Sequence, residues 1–271
     1  MSDIEVSILI VYMNDKRMVR QTLRNIARIA PRCTTEILCI DNNVADGIYE
    51  LLHKEFPEVR YIPMDKNRGF GAGMNAGARV ARGKYLLVFN PDLAPEMGSV
   101  DCLLMHLQKN PSIGLIAPLL QNPDTTLQYS CCRNPTLLIP LLRRTPLGKT
   151  AWGKKHIAQF QMHHVSHETE RDVDWVLGSA MLLAKDFFTE LDGFDEQFFM
   201  YYEDADLCRR VWASGKRVVY FPNSRMIHYH RRASADGSFF RQLLNPLVWQ
   251  HIKSACLYAK KHRTSPPSPC S

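Results

Sequence analysis

The feature that most constrains the fold is the run Val6 to Tyr12 (VSILIVY), seven residues of which six are apolar or aromatic and four are β-branched aliphatics. A run this short, with no polar alternation, is a strand covered on both faces, which is the habit of parallel strands inside α/β proteins. The residues after it fit that frame. Lys16 to Ala30 has helical spacing, with Val19, Leu23, Ile26 and Ala30 on one side. Glu36 to Ile40 is a second strand, Ile48 to Glu55 a helix stopped near Pro57, and Val59 to Pro63 a third strand. Gly73 to Ala81 is a helix after a glycine-rich turn, and Tyr85 to Phe89 is a fourth strand. Strand and helix in alternation predict a mostly parallel, doubly wound sheet. In such sheets ligands sit at the carboxyl ends of the strands, where Asp41 and Asp92 fall.

Composition narrows the class. The chain is 45% hydrophobic and 23% charged, enough apolar mass for a sizeable core. Its formal charge of +7 points to an anionic partner: phosphorylated substrate, anionic lipid or nucleic acid. Nucleic acid is set aside because the basic residues are spread out and form no recognisable binding module. The eight cysteines lack CxxC pairs and zinc spacings, so reduced cytosolic thiols are expected. The acidic start Met1-Ser2-Asp3-Ile4-Glu5 carries no secretory pattern, and no apolar run reaches the roughly 18–20 residues of a membrane span. From 118 to 167, prolines and basic residues with weak periodicity predict loops and short helices. Phe239 to Lys261 is expected to be an amphipathic helix interrupted at Pro246. Residues 264–271 are expected to be a disordered tail.

Several groups can carry chemistry. In Asn90-Pro91-Asp92, a carboxylate at the end of a buried strand can ligate a hard divalent cation, Mg²⁺ or Mn²⁺; the plain alternative is a turn that ends the strand. Asp41-Asn42-Asn43 offers a carboxylate to a base or ribose, or again only a turn. Lys66 to Gly73 brings glycines and a basic group to a helix start, which suits phosphate or ribose, without GxGxxG spacing or a Walker lysine. Glu203-Asp204-Ala205-Asp206 places three acids at a helix start. The helix dipole explains one or two of them. An aromatic run, Phe198 to Tyr202, precedes them, and aromatic walls that exclude water support a carboxylate as general base. His228 and His230 are candidate ligands, but i, i+2 on an extended segment points them to opposite faces, so at most one reaches a given metal.

Taken in order, VSILIVY, DNN at 41–43, NRGFGAGMNAG at 67–77, YLLVFNPD at 85–92, VDWVLGSAMLL at 173–183 and GFDEQFFMYYEDADLCRRV at 193–211 resemble the family 2 glycosyltransferases of the GT-A fold. Within these the likeness is to bacterial rhamnosyltransferases of cell-wall linker and O-antigen synthesis, and it covers about residues 4 to 262. The resemblance implies an inverting transfer with Asp204 as catalytic base and Glu203 beside it. It implies donor contacts from Asp41, Asn67, Gly69 and Asp92, and an acceptor side of Trp175, Gly178, Ser179 and Asp206. It implies a divalent cation at Asp92 and His228. It also implies dTDP-L-rhamnose as donor and a polyprenyl-diphosphate-linked glycan as acceptor. The alternatives are a UDP- or GDP-sugar donor, or a non-catalytic glycan- or nucleotide-binding protein on the same scaffold. Asn90 departs from the pattern, standing where many relatives carry the first acid of DxD. The expected organisation is a catalytic domain over 1–238, with a nucleotide-binding half over about 1–95 and an acceptor half over about 96–238. A basic amphipathic extension over 239–263 would lie on the membrane surface, placing the protein in the cytoplasm on the inner face of the cell membrane.

Overall fold

The computed structural model describes residues 3–229 and 245–263. His230, the segment 239–244 and the tail 264–271 lie outside that set.

The first half alternates as the sequence predicts: β1 (Val6–Tyr12), α1 (Lys16–Ile29), β2 (Thr35–Asp41), α2 (Ile48–Glu55), β3 (Arg60–Pro63), α3 (Phe70–Val80) and β4 (Tyr85–Phe89). The chain continues through β5 (Leu93–Pro95), α4 (Ser99–Lys109), β6 (Ile113–Gln121), β7 (Leu127–Gln128), β8 (Cys131–Cys132), α5 (Leu138–Arg144) and α6 (Ala151–Phe160). It ends with β9 (Arg171–Asp172), β10 (Trp175–Val176), β11 (Ala180–Ala184), α7 (Lys185–Glu190), α8 (Glu203–Ala213), β12 (Arg217–His228) and α9 (Pro246–Lys261).

The main sheet runs β3-β2-β1-β4-β11-β6-β12-β5. β1 pairs in parallel with β2 and β4, β2 with β3, and β6 with β12. β11 is inserted antiparallel between β4 and β6. The sheet therefore passes unbroken across residue 95. Successive side chains of a strand face opposite ways, and β1 shows the consequence. Val6, Ile8, Ile10 and Tyr12 join a core with α1, α2 and α4, while Leu9 and Val11 join another with α3, α7 and α8. Each fully buried aliphatic side chain contributes about 1.5–3 kcal/mol, which is why VSILIVY tolerates no charge.

Two boundaries differ from the sequence reading. α3 begins at Phe70 rather than Gly73, because packing keeps glycines 71 and 73 helical: a Cβ on them would meet Phe194 and Val11 at 2.9 Å. The apolar run Val218 to Phe221 predicts a strand that stops before Pro222, but β12 runs to His228, carried past Pro222 by a register shift against β6 between Phe221 and Arg225. α9 starts at Pro246, the first position of the helix, where proline fits; Asn245 caps it by accepting from the Leu247 N–H. The 118–167 stretch holds the end of β6, α5 and α6.

Candidate active site

The site lies at the carboxyl ends of β1, β2 and β4. Asp41 ends β2 and is fully buried; its carboxylate accepts from the Asn43 N–H at 2.8 Å and the Tyr61 hydroxyl at 2.9 Å. That pairing pushes the Tyr61 hydroxyl up to about 12, through burial first and the Asp41 carboxylate next. Asp41 thus shapes the 41–43 turn, and each of its oxygens keeps a second lone pair for a donor. Tyr12, ending β1, hydrogen-bonds to Asp46.

Asn67 accepts from the Gly69 N–H at 3.0 Å, and Asn42 donates to the Gly69 carbonyl at 3.0 Å. Gly69 has φ +94, and a Cβ there would lie 2.0 Å from the Phe199 carbonyl oxygen. This contact presses the 67–70 loop onto the aromatic run before α8, and the Phe70 N–H donates to that same carbonyl at 3.1 Å. A second clamp lies one helical turn on. Asn75 donates to the Phe194 carbonyl and accepts from the Phe194 N–H, both at 2.8 Å. Glu196 pairs with Arg68 and Arg79. The sequence reading missed Asn75; its signal was a polar, poor helix former inside the small-residue helix NRGFGAGMNAG.

Asp92 follows β4 in the Asn90-Pro91-Asp92 turn, which Thr22 of α1 ties down by donating to the Pro91 carbonyl at 2.6 Å. The Asp92 carboxylate is 3.2 Å from Nε2 of His228, at the end of β12. His228 Nδ1 lies 2.7 Å from the Gln128 Oε1, a distance at which Nδ1–H donates and Nε2 presents its lone pair. A carboxylate oxygen and an imidazole nitrogen aimed at one place form a donor set suited to Mn²⁺ or Mg²⁺. Among the described residues no three acid, histidine or cysteine side chains make a complete cage. These two residues fit part of a shell whose remainder the phosphates of a bound nucleotide can supply.

Across the cleft stands Asp204. Its Oδ2 accepts from the Gly178 N–H and its Oδ1 from the Ala205 N–H, both at 2.8 Å. A Cβ on Gly178 would sit 3.0 Å from the Asp204 Cβ, so glycine is what lets the carboxylate reach that amide. The antiparallel β4–β11 ladder brings the Gly178–Ser179 segment that holds this carboxylate against the Asn90-Pro91-Asp92 turn: the Asn90 N–H donates to the Ser179 carbonyl at 2.9 Å. Trp175, at the start of β10, stacks on Tyr202 with ring centroids 6.4 Å apart.

Glu203 and Asp204 are both buried, and burial raises both carboxyls above their ordinary range. They differ in support. Asp204 has two amide donors, Gly178 and Ala205, to favour its charged form, whereas the Glu203 Oε2 has no hydrogen-bond partner. Two adjacent buried acids do not both ionise readily, so Asp204 carries the charge and Glu203 keeps its proton. The result is a desolvated carboxylate with raised basicity, which a general base requires. Tyr201 and Tyr202 just before it both have φ +69. Such residues cost about 1–3 kcal/mol each and persist only when packing holds them.

α9 supplies that packing. His251 and Tyr258 lie against Tyr202, and the Ser254 hydroxyl donates to the Met200 carbonyl at 2.8 Å. Asp206 completes the brace. The sequence places it on the acceptor side, but the structure does not bring it there. It is fully buried, bonded to Arg210 at 2.8 Å, Lys261 at 2.7 Å and His262 at 2.8 Å. Burial alone would raise its carboxyl; the His262 hydrogen bond and the charges of Arg210 and Lys261 hold it down at about 2. The i+2 offset from Asp204 turns Asp206 to the other side of α8.

A largely parallel sheet with a strand-end carboxylate–histidine pair facing a buried helix-start acid defines a GT-A nucleotide-sugar transferase. The chain belongs to glycosyl transferase family 2, which matches residues 7–165; residues 161–232 match the N-terminal domain of galactosyltransferase. Among similar proteins is the N-acetylglucosaminyl-diphospho-decaprenol L-rhamnosyltransferase of Mycobacterium tuberculosis, 28% identical over 86% of this chain and 78% of that protein. Rhamnosyltransferase WbbL of Escherichia coli is 27% identical over 72% and 71%. The fold resembles GalNAc-T7 with UDP, GalNAc and Mn²⁺ (TM-score 0.67, 16% identity, 96% of this chain and 48% of that one). It also resembles the mannosyltransferase PcManGT of Pyrobaculum calidifontis with GDP-Man and Mn²⁺ (TM-score 0.58, 14% identity, 98% and 76%). The protein is a glycosyltransferase.

Proposed function

We propose that the protein transfers L-rhamnose from dTDP-L-rhamnose to a polyprenyl-diphosphate-linked saccharide, with inversion at the anomeric carbon. The observation that carries the chemistry is Asp204, buried, charged and held by the Gly178 N–H opposite the Asp92–His228 pair. Asp204 takes the proton of the acceptor hydroxyl. The freed oxygen attacks the anomeric carbon as the bond to the nucleoside diphosphate breaks, and the electron pair leaves on the diphosphate. Asp92 and His228 would hold a divalent cation, which supplies Lewis-acid stabilisation of the leaving group. Trp175, Gly178 and Ser179 border the acceptor; Asn67, Gly69 and Asp41 border the nucleotide. The names of the two rhamnosyltransferase relatives support the sugar, and the decaprenol relative supports the acceptor class.

The test is transfer to a synthetic polyprenyl-diphosphate N-acetylglucosamine from dTDP-L-rhamnose, UDP-sugars and GDP-sugars, with Mg²⁺ or Mn²⁺. Rhamnosylation with an inverted anomeric linkage supports the reading. Efficient use of a UDP- or GDP-sugar alone overturns the donor, and a retained linkage overturns the mechanism.

Attachment at the inner membrane surface belongs to the same reading. No helix among the described residues is long and apolar enough to cross a bilayer. α9 buries Val248, Ala255 and Tyr258 yet leaves Trp249 58% exposed, with Ile252 and the basic Lys253 and Lys260 outward. α5, which touches α9 through an Arg144–His251 contact at 3.0 Å, exposes Leu141. Apolar residues among cations suit anionic lipid. Replacing Trp249 and Ile252 by serine should release the protein from phosphatidylglycerol vesicles; unchanged co-sedimentation refutes the attachment.

A further inference from the structure

A cavity of about 420 Å³ lies beside the active site, between the segment after β8, the start of α5, and α6. Its lining divides by chemistry. Arg133, His156 and His164 give it a basic side, and Leu138, Ile139 and Phe160 an apolar one; no acidic residue lines it. Arg133 makes no ion pair among the described residues, and its Nε is buried without a hydrogen-bond partner. An unsatisfied guanidinium N–H is costly in a folded protein, and a phosphate is the ligand that matches its planar fork.

The position of the cavity is as informative as its lining. The Phe160 ring, one of its walls, lies 5.7 Å from the ring of Trp175, which flanks Asp204. The cavity is therefore one aromatic layer from the base. It is formed by other elements than the Asp92–His228 pair, where the donor diphosphate belongs. Leu137 and Leu141, exposed on α5 and its leading residue, continue the apolar wall of Leu138 and Ile139 toward solvent.

We propose that this cavity binds the diphosphate of the lipid-linked acceptor, with Arg133 and His164 on the phosphates and Leu138 and Ile139 on the first isoprene units. The assignment rests on the acceptor class given above and adds where the acceptor's charged end is held. The acceptor sugar then reaches past Trp175 to Asp204, and the lipid leaves along α5.

The test compares wild type with Arg133→Gln, Arg133→Lys and Leu138→Glu. With the diphosphate-linked acceptor, Arg133→Gln should raise the acceptor KM by about 10-fold or more, the loss expected for a charge-assisted phosphate contact. Its donor KM, and its kcat/KM on a hydrophobic aglycone glycoside without phosphate, should stay at wild-type values, and Arg133→Lys should recover part of the loss. Equal losses on both acceptors, or none, overturn the proposal. Direct binding separates this from a failure of the acceptor reading. If wild type glycosylates neither acceptor, that reading fails, and titration with farnesyl diphosphate still decides the cavity. Weaker binding in Arg133→Gln and Leu138→Glu, with farnesol unaffected, supports it; equal binding in all variants overturns it. If Arg133→Gln does not fold, Leu138→Glu, which places a carboxylate at the mouth, gives the same readouts. A parallel loss on phosphatidylglycerol vesicles would make it a phospholipid headgroup site and overturn the acceptor assignment.

Discussion

Gly69→Ala probes the contact that joins the 67–70 loop to the loop before α8. Gly69 has φ +94, and the added methyl would lie 2.0 Å from the Phe199 carbonyl oxygen, 2.8 Å from its carbon and 2.9 Å from the Phe199 Cα. All three are backbone atoms, so no side chain can swing aside. Relief needs the loops to part by on the order of 1 Å, in a close-packed interior that resists it. Parting them breaks the Phe70 N–H bond to Phe199 and strains the Asn42 bond to Gly69. The positive φ costs about 1–3 kcal/mol, and each lost hydrogen bond about 1 kcal/mol. The sum is roughly 3–5 kcal/mol, or about 6–20 °C in Tm at ~2–4 °C per kcal/mol for a chain of this size. Gly98→Ala is the control. Gly98 also has a positive φ, +76, but its Cβ would meet nothing within 4 Å. It should lose only the backbone component, about 1–3 kcal/mol. Calorimetry of both variants decides the matter. If Gly69→Ala melts no lower than Gly98→Ala, the loop contact does not have the tightness described, and the argument that it positions Asp204 falls with it.

Four other substitutions test the site's electrostatics. Asp204→Asn should lower transfer by about 10²–10⁴-fold while melting remains cooperative; wild-type turnover would remove Asp204 from the base role. Glu203→Gln should raise Tm at pH 8, because a carboxyl raised in the folded state loses native stability as pH climbs past its unfolded value; the gain should shrink by pH 4, and a pH-independent change would contradict that cause. Asp206, depressed from 3.8 to about 2, stabilises the fold above pH 3.8 by on the order of 2 kcal/mol. That stability fades as pH falls from 3.8 toward 2, so Asp206→Asn should be less stable at pH 7 and lack this part of the acid transition in denaturant titrations. Gln128→Leu, which removes the partner of His228 Nδ1, should raise the Mn²⁺ concentration for half-maximal transfer by roughly 10–100-fold, the usual effect of losing such support; an unchanged requirement would separate His228 from the metal.

Much of the architecture was readable from local pattern. VSILIVY and YLLVF are buried strands because their sequences offer little to water, the run Ile37 to Ile40 is apolar in the same way, and the 41 and 92 carboxylates fall at the strand ends. Glu203-Asp204 after an aromatic run announced a desolvated acid. The three-residue register of 204 and 206 was not enough to tell a base from a brace, because both are acids in the first turn of one helix. What separates them is the partner each meets: a backbone amide from Gly178, 26 residues earlier, or Lys261 and His262 more than 50 residues later.

The sequence by itself determined the strand–helix alternation, the strand-end acids and the motifs of a family 2 glycosyltransferase, because short-range periodicity and residue chemistry act within a few residues of each other. Only the tertiary structure decided that β11 runs antiparallel beside β4 and so sets Ser179 against Asn90. It alone decided that Gly69 and Asn75 lock onto the loop before α8, and that α9 braces two tyrosines held at positive φ. Those contacts join residues far apart in the chain, and their stability comes from burial and hydrogen bonds that do not exist until the whole sheet has closed.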